Sequence, residues 1–397
     1  MDSLNKKLAK LATNLVGSEP TLFDLKNSAN QKTLAGLISK HRIQYVIDDY
    51  VESLKELFAV NNPTKIFSPD FAKEFDGYLK KLKDFGDLGR AGKWVFYPWL
   101  STIVHVLPED DFQKVRTARN RNLITEAEQK KFYESVVGIG GLSIGNSVAL
   151  AIVVQGGAKH IRLADFDRLA LSNTNRIRTG VQNLGLMKVE MTARQIYEVN
   201  PYAKVELFRE GLTPKNISGF FVGPPNLDIV IDELDNIAVK LLIRQEARKN
   251  KVAVVMAADN GDNAVVDIER YDLNPKTQFF HGRLGNVTYD ELANLDKLGI
   301  GRTITKHIGP ENITERMQNS LLEIGKTIVS WPQLGGAALL NGSAVAYCVR
   351  KILNNQPIEK NRALISLDEK LIPGYNSPAQ KNKRQKISNG FKKMFGL

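Results

Sequence analysis

From residue 133 to residue 260 the chain alternates short apolar runs with segments of helical periodicity. Runs such as SVVGI and IRLADFD are each followed by stretches such as GLSIGNSVALAIVVQ and MKVEMTARQIYEV. Apolar residues in these longer stretches recur every three or four positions, as on one face of a helix. The short runs are mostly apolar and do not alternate with polar residues, which is typical of strands covered on both sides. This order predicts an α/β fold with a doubly wound, mostly parallel sheet and helices on both faces.

The rest of the chain divides into regions of different character. Residues 1–115 are predicted to be mainly helical, because IQYVIDDYVESLKELF and FAKEFDGYLKKLKDF each carry one apolar face. The α/β domain is expected to cover residues 116–355, with an irregular insertion over the sheet at about 274–331. Residues 356–397 form a C-terminal extension that ends in a basic tail, which we expect to be flexible.

Composition excludes several classes of protein. The net charge is +12, but the last 22 residues supply six lysines and arginines with no acid, so charge alone does not indicate nucleic-acid binding. A single cysteine excludes an internal disulfide and a four-cysteine site, so no structural zinc is expected. The sequence shows neither a signal peptide nor the roughly 20 apolar residues of a transmembrane helix. We therefore expect a cytoplasmic protein that binds no nucleic acid.

A glycine-rich turn, GIGGLSIG, joins the first strand to its helix and contains Gly138, Gly140 and Gly141. Glycine permits a tight turn and lets the backbone approach a phosphate or a ribose closely. The N-terminus of the helix adds amide N–H groups and a positive dipole. Alone, this motif also fits a βα turn that binds nothing, so its meaning depends on the residues that follow.

Acidic residues end two later strands. Asp165 lies 24 positions beyond Gly141, where a carboxylate can accept hydrogen bonds from both hydroxyls of a ribose. Asp235 and Asn236 follow the strand LDIVID, at the carboxyl end where open α/β sheets bind their ligands. A carboxylate near phosphates there is suited to hold Mg²⁺. The alternative for Asp235 is that it caps the next helix.

Two cationic residues lie between these acids. Arg176 ends the segment SNTNR, and Lys188 begins a helix twelve positions later. Together they would neutralise a triphosphate, the arginine as a planar fork and the lysine as a point charge. Lone surface cations are usually only solvated, so this interpretation depends on the flanking motifs.

In this order the motifs resemble the ThiF/MoeB family and the adenylation domain of ubiquitin-activating enzymes, from about residue 117 to residue 272. The resemblance implies a Rossmann-like nucleotide-binding domain and a sequence of family landmarks. The landmarks are found here as GIGGLSIG, Asp165-Phe166-Asp167, Ser172 to Arg176, Lys188-Val189-Glu190, Asn200-Pro201 and Asp235-Asn236.

The resemblance also implies an activity, namely ATP-dependent adenylation of a carboxylate with release of pyrophosphate. The substrate would be the C-terminus of a ubiquitin-like protein, a peptide or a small acid. The implied nucleotide-binding residues are Gly138, Gly140, Gly141, Asp165, Asn173 and Asn236. The implied catalytic residues are Asp235, which binds Mg²⁺, and Arg176, Lys188 and Arg121. Arg121 in the segment RNRN would reach the ATP of a partner subunit, so a homodimer is expected.

Departures from the family pattern leave other functions open. The loop GLSIG is longer than the usual GLG, and residues 274–331 lack the cysteine that thioester-forming members carry. A ubiquitin-type thioester cascade is therefore not expected. One alternative is an NAD- or FAD-dependent oxidoreductase, since a glycine loop followed by an acid is also the dinucleotide fingerprint. The other is a non-catalytic nucleotide-binding scaffold.

Overall fold

The computed structural model describes residues 17–358 and 360–397, which form two compact units. The first unit contains the chain up to Glu126 together with Tyr197–Tyr202, and the second contains Ala127–Ile196 and Ala203–Leu397. The predicted boundary at residue 115 therefore falls inside the first unit. The part of the predicted helical region at residues 1–16 lies outside the described residues.

The first unit combines helices with a four-stranded sheet of order β1-β3-β4-β2. Its strands are β1 (Thr21–Phe23), β2 (Tyr45–Ile47), β3 (Lys93–Tyr97) and β4 (Thr102–Val106). Its helices are α1 (Ser28–Ser39), α2 (Tyr50–Asn61), α3 (Phe71–Phe85) and α4 (Glu109–Arg116). The mainly helical character agrees with the sequence prediction, but the sheet was not predicted. Two of its strands are only three residues long, which is too short to show a periodic pattern.

The second unit is built on a seven-stranded sheet of order β11-β10-β9-β8-β5-β6-β7. Its strands are β5 (Val136–Gly140), β6 (His160–Ala164), β7 (Lys204–Phe208), β8 (Ile229–Asp232), β9 (Ala253–Asn260), β10 (Asn263–Arg270) and β11 (Arg362–Ile365). Strands β5 to β9 are parallel to one another, and β10 and β11 are antiparallel to their neighbours. The predicted doubly wound, mostly parallel sheet is confirmed.

The direction in which strands are added to this sheet reverses at β5. The chain goes outward from β5 to β6 and β7, and then returns to the other side of β5 to form β8 and β9. Gly140 at the end of β5 is in register with Ala164 of β6 and with Asp232 of β8. The carboxyl ends of these three strands therefore lie together at the switch point, where open α/β sheets bind ligands.

Helices cover both faces of this sheet. Those between residues 126 and 250 are α5 (Glu126–Glu134), α6 (Ile144–Val154), α7 (Lys188–Val199), α8 (Ile217–Phe221) and α9 (Ile237–Asn250). Those that follow are α10 (Tyr289–Ala293), α11 (Lys297–Ile308), α12 (Glu315–Leu322), α13 (Gly335–Leu353), α14 (Leu367–Leu371) and α15 (Pro378–Phe395). Val239 of α9 packs with Val254 of β9, whereas Asn341 of α13 contacts Asp259 of the same strand. Since side chains alternate along a strand, α9 and α13 lie on opposite faces.

Two predictions for the second half of the chain differ from the structure. The segment 274–331 is not irregular throughout, because α10, α11 and α12 begin there at side-chain N-caps supplied by Thr288, Asp296 and Thr314. The tail predicted to be flexible forms α15, whose Phe391 and Phe395 are buried against the cluster that contains Met256 and Ile308. In residues 17–358 and 360–397, no helix has the length and apolar character needed to cross a membrane.

Candidate functional site

The glycine loop after β5 is in direct backbone contact with the segment after β8. Gly141 has a φ of +84°, in the left-handed region, and its N–H donates to the carbonyl oxygen of Ala164 over 2.8 Å. A Cβ atom at this position would lie 2.4 Å from the carbonyl oxygen of Glu233 and 2.9 Å from the amide nitrogen of Leu234. Only glycine fits here, and the loop therefore adjoins the segment that carries Asp235.

The other two predicted glycines lie within β5. A Cβ atom at Gly138 would come within 2.6 Å of Leu227 and 2.9 Å of Phe220, which belong to the hydrophobic core. Gly138 is therefore required for packing under the sheet, and its place inside the strand does not support the predicted contact with a nucleotide. Gly140 is the last residue of β5, where a Cβ atom would meet leucine side chains at 3.3 Å.

Asp165, which follows β6, ties this strand end to the glycine loop. Its carboxylate is 7% exposed and accepts the N–H of Leu142 at 2.7 Å and the N–H of Asp167 at 2.8 Å. Burial raises the pKa of Asp165, and the charge of Lys188 and the two N–H donors oppose that shift. An ionised carboxylate has about four lone-pair positions, so two remain for the hydroxyls of a ribose.

Lys188 begins α7 and lies beside the same carboxylate. Its side chain is buried, and Nζ donates to Oδ2 of Asp167 at 2.7 Å and lies 3.9 Å from Oδ2 of Asp165. The structure thus brings the predicted cation and the predicted ribose acid together, as the motif order indicated. In this arrangement Asp167, rather than a phosphate, is the direct partner of the ammonium group.

Arg176 connects the turn after β6 with the start of α6. Its Nε donates to the hydroxyl of Ser143, the N-cap residue of α6, at 2.8 Å, and its Nη1 donates to Asn175 at 3.0 Å. Burial lowers the pKa of Arg176, and the charges of Asp259 and Asp235 oppose that shift. The guanidinium group therefore lies at the glycine loop and in the electrostatic field of both acids.

The two predicted asparagines have capping roles. The side chain of Asn236 accepts the N–H groups of Ala238 and Val239 and so caps α9, at 3.0 and 3.2 Å. The alternative that Asp235 forms this cap is wrong, because the cap is the next residue. Asn173 accepts the N–H of Ala170 at 2.9 Å within its own turn. The side-chain amide nitrogen of either asparagine could still donate to a nucleotide.

Asp235 itself is exposed, directly between the end of β8 and the start of α9. Over residues 17–358 and 360–397 its carboxylate has neither a hydrogen bond nor an ion pair. Arg121 is also exposed, and it follows the 3₁₀ turn Ala118–Asn120 in the first unit. The role of Arg121 toward a partner subunit stays a prediction.

Two acids at this edge of the sheet were not singled out from the sequence. Glu233 accepts the N–H of Ala257 at 3.0 Å through Oε1, and its Oε2 is buried without a hydrogen-bond partner in the described part of the chain. Asp259, near the end of β9, accepts amide N–H groups from Gln333 at 3.1 Å and from Asn341. Burial raises the pKa of Asp259 to about 6 and that of Glu233 well above its usual range. The signal for Asp259 was its place after the apolar run VAVVMAA, the same signal that marked Asp165.

Comparison with known proteins identifies the domain that carries this site. Residues 117–294 match the ThiF family, so this part of the chain is a ThiF-family domain. An uncharacterized protein of Mycobacterium tuberculosis is 36% identical over 313 residues, which are 78% of this chain and 43% of that protein. The tRNA threonylcarbamoyladenosine dehydratase of Escherichia coli is 34% identical over 128 residues, which are 32% of this chain and 46% of the dehydratase. The chain thus spans less than half the length of these two relatives.

Two more distant similarities are found as well. The molybdopterin-synthase adenylyltransferase of Haemophilus influenzae is 27% identical over 143 residues, which are 36% of this chain and 56% of that enzyme. The crystal structure of Escherichia coli MccB with ATP shares 18% sequence identity with this chain. Its TM-score is 0.46, over 66% of this chain and 77% of that chain. At this TM-score the structural likeness carries no weight for the site.

Proposed function

We propose that the protein is an ATP-dependent adenylyltransferase, which activates a carboxylate as an acyl-adenylate and releases pyrophosphate. One observation carries this proposal, namely the backbone contact between Gly141 and Glu233 at the switch point. Because of this contact, the ribose acid Asp165 and the metal-binding acid Asp235 flank a single loop. Arg176 is hydrogen-bonded to the helix that leaves this loop. The match of residues 117–294 to the ThiF family supports the same activity.

In this proposal, the ribose and the phosphates of the nucleotide each have binding groups. Asp165 would accept the ribose hydroxyls, and the backbone N–H groups at the start of α6 would face the phosphates. Arg176 and Lys188 would offset the negative charge of the triphosphate. Lys188 would exchange its contact with Asp167 for one with a phosphate oxygen, which keeps the ammonium group paired in both states.

The chemistry needs charge compensation more than proton transfer. A carboxylic acid with a pKa near 4 is already ionised at neutral pH, so the nucleophile needs no general base. The obstacle is the approach of this anion to the α-phosphorus of a polyanion. A positioned guanidinium group and a lysine would lower that barrier by stabilising the charge that develops in the transition state. The bond from phosphorus to the pyrophosphate oxygen then breaks as the bond to the acyl oxygen forms.

Asp235 is the residue best placed to hold Mg²⁺. It is an exposed carboxylate at the strand end, and no other side chain in the described ranges forms a hydrogen bond or an ion pair with it. Mg²⁺ is usually held by one or two carboxylates together with phosphate oxygens. A single protein ligand therefore fits the metal, which would supply charge neutralisation to the phosphates.

The partners are proposals of the same kind. Two of the relatives carry names that refer to a tRNA nucleoside and to molybdopterin synthase, so similarity does not choose among protein, peptide and small-acid substrates. We propose that the protein acts as a homodimer in which Arg121 reaches the phosphates bound by the partner subunit. An Arg121→Ala variant mixed with an Asp235→Ala variant would then recover part of the activity that each lacks alone.

ATP–pyrophosphate exchange in the presence of candidate carboxylates tests the proposal. Asp235→Ala is expected to lower exchange by at least about a hundredfold, because the metal and the charge it supplies are lost. Its unfolding free energy should stay close to wild type, since the side chain is exposed. Asp262→Ala, which removes another exposed acid from the turn between β9 and β10, is the matched control and should exchange normally.

The alternatives give different results in the same experiments. Wild-type protein that binds ATP but exchanges pyrophosphate with no carboxylate would contradict the catalytic proposal. Tighter binding of NAD than of ATP would favour the oxidoreductase alternative, in which Arg176 and Asp235 would have no assigned role. A stable dimer without affinity for any nucleotide would favour the scaffold.

A further inference from the structure

We propose that Asp259 is a positioning residue for adenylation, whose carboxylate fixes Arg176 and the segment 333–335 around the phosphate site. The inference rests on the proposed function, because its effect is expressed through the adenylation step. It is carried by three connections: the amides of Gln333 and Asn341 that contact the carboxylate, the contact of the segment 333–335 with Asn175, and the electrostatic effect of Asp259 on Arg176.

The immediate surroundings of Asp259 are built for an ionised carboxylate. The residue is 6% exposed, and each of its oxygens receives an amide N–H, one from Gln333 at 3.1 Å and one from Asn341. An ionised carboxylate only accepts hydrogen bonds, so two N–H groups that point at its two oxygens match that form. These amides come from positions 74 and 82 residues away in the chain, which makes the carboxylate a junction between distant segments.

The second connection leads from Asp259 to the residue that precedes Arg176. The carbonyl oxygen of Gln333 accepts the side-chain N–H of Asn175 at 2.8 Å. A Cβ atom at Gly335 would lie 2.4 Å from the carbonyl oxygen of Asn175, so the segment 333–335 runs directly against this turn. Asp259, Gln333, Asn175 and Arg176 thus form a continuous chain of contacts that begins at β9 and ends at the glycine loop.

The third connection is electrostatic. The charge of Asp259 opposes the cost of burying the guanidinium group of Arg176 and does so more strongly than the charge of Asp235. On its other side, Arg176 is held by the hydroxyl of Ser143 at the start of α6. Held from two sides, the guanidinium group keeps a fixed orientation toward the phosphates before the substrate arrives.

This geometry predicts a specific kinetic effect. Asp259 does not touch the reacting atoms and is itself negative, so its charge does not attract ATP. Removing the charge therefore leaves Lys188 and the backbone N–H groups of α6 to bind ATP, whereas the transition state loses a correctly oriented guanidinium group. The rate constant of exchange should fall and the KM for ATP should not rise, which is the pattern of an interaction made only in the transition state.

The test uses Asp259→Asn, with Asp262→Asn as the matched control in the adjacent turn. Exchange by Asp259→Asn should have a kcat roughly tenfold to a hundredfold below wild type, the range expected for losing a hydrogen-bonded charge. The KM for ATP should stay within about twofold of wild type, and Asp262→Asn should match wild type in both constants. Gln333→Leu breaks the chain of contacts at the residue after Asp259. It should also lower kcat without raising the KM for ATP, and the loss of kcat should be smaller.

A double-mutant cycle separates positioning from a general structural role. In an Arg176→Ala background, Asp259→Asn should cost little further activity, because the residue through which it acts is already absent. Additive losses, an unchanged kcat in Asp259→Asn, or a KM for ATP that rises with the loss of kcat would each overturn the inference. If Asp259→Asn fails to fold, the cycle with Gln333→Leu decides by the same criteria. Wild-type protein without exchange would overturn the proposed function and this inference with it, whereas normal exchange in both variants overturns the inference alone.

Discussion

Replacement of Gly141 by alanine tests whether the glycine loop and the segment after β8 are in fixed contact. The new Cβ atom would lie 2.4 Å from the carbonyl oxygen of Glu233, about 1 Å inside the 3.4 Å at which ordinary contact begins. The atoms that it meets belong to the backbone, so a change of rotamer gives no relief. A residue with a Cβ atom in the left-handed region also costs about 1–2 kcal/mol. Together with about 1–3 kcal/mol for overpacking, the expected loss in unfolding free energy is about 2–5 kcal/mol.

Urea denaturation and calorimetric titration with ATP measure the two consequences. We expect a lower denaturation midpoint for Gly141→Ala and an affinity for ATP reduced by at least about tenfold, because a loop displaced by about 1 Å no longer presents its amides correctly. Gly219→Ala in α8 is the control, since a Cβ atom there meets nothing within 4 Å. Removing a helical glycine should leave stability equal to wild type or up to about 1 kcal/mol higher. A Gly141→Ala protein with the wild-type midpoint and wild-type ATP affinity would refute the argument that these two backbones touch.

Three further predictions concern stability. Asn236→Ala should lower the unfolding free energy by about 1 kcal/mol in urea denaturation, because α9 loses its N-cap, and an unchanged value would contradict the capping role. Asp267→Asn should cost about 3–5 kcal/mol, because it removes the buried partner of His281 at 2.6 Å and of Arg362; a loss below about 1 kcal/mol would show that these groups find other partners. Between about pH 4 and pH 6, the wild-type unfolding free energy should fall with rising pH relative to Asp259→Asn. The folded state keeps the proton of Asp259 to about pH 6 whereas its ordinary pKa is 3.8, and parallel pH curves for the two proteins would contradict this pKa.

The part of the fold that binds the nucleotide was predictable because its signals are local. The central strands are mostly apolar runs, and Asp165 and Asp235 lie just beyond two of them, so the carboxyl ends of parallel strands could be placed from the sequence. The sheet of the first unit gave no comparable signal, since β1 and β2 have three residues each. The helices between residues 289 and 322 were not predicted, although Thr288 and Glu291 form a capping box, because polar residues outnumber apolar ones in this segment.

The contacts around Asp259 show why the remainder of the site was not predictable. The amide of Asn341 reaches the carboxylate across 82 positions of sequence, and no periodicity or motif links the two residues. Gly138 is the opposite case, because the motif suggested contact with a ligand, whereas the structure places Leu227 and Phe220 where a Cβ atom would lie. A glycine motif indicates that a side chain would not fit at that position. The fold then shows whether a ligand or the hydrophobic core fills the space.

The strand β11 has a consequence for how the protein can be shortened. It pairs with β10 along residues 264–267, and all residues of β10 except Arg270 are buried. A recombinant fragment that stops at residue 355 would leave this otherwise buried strand as an open edge, which is a template for pairing between molecules. Such a fragment would keep every residue of the glycine loop and still be prone to precipitate.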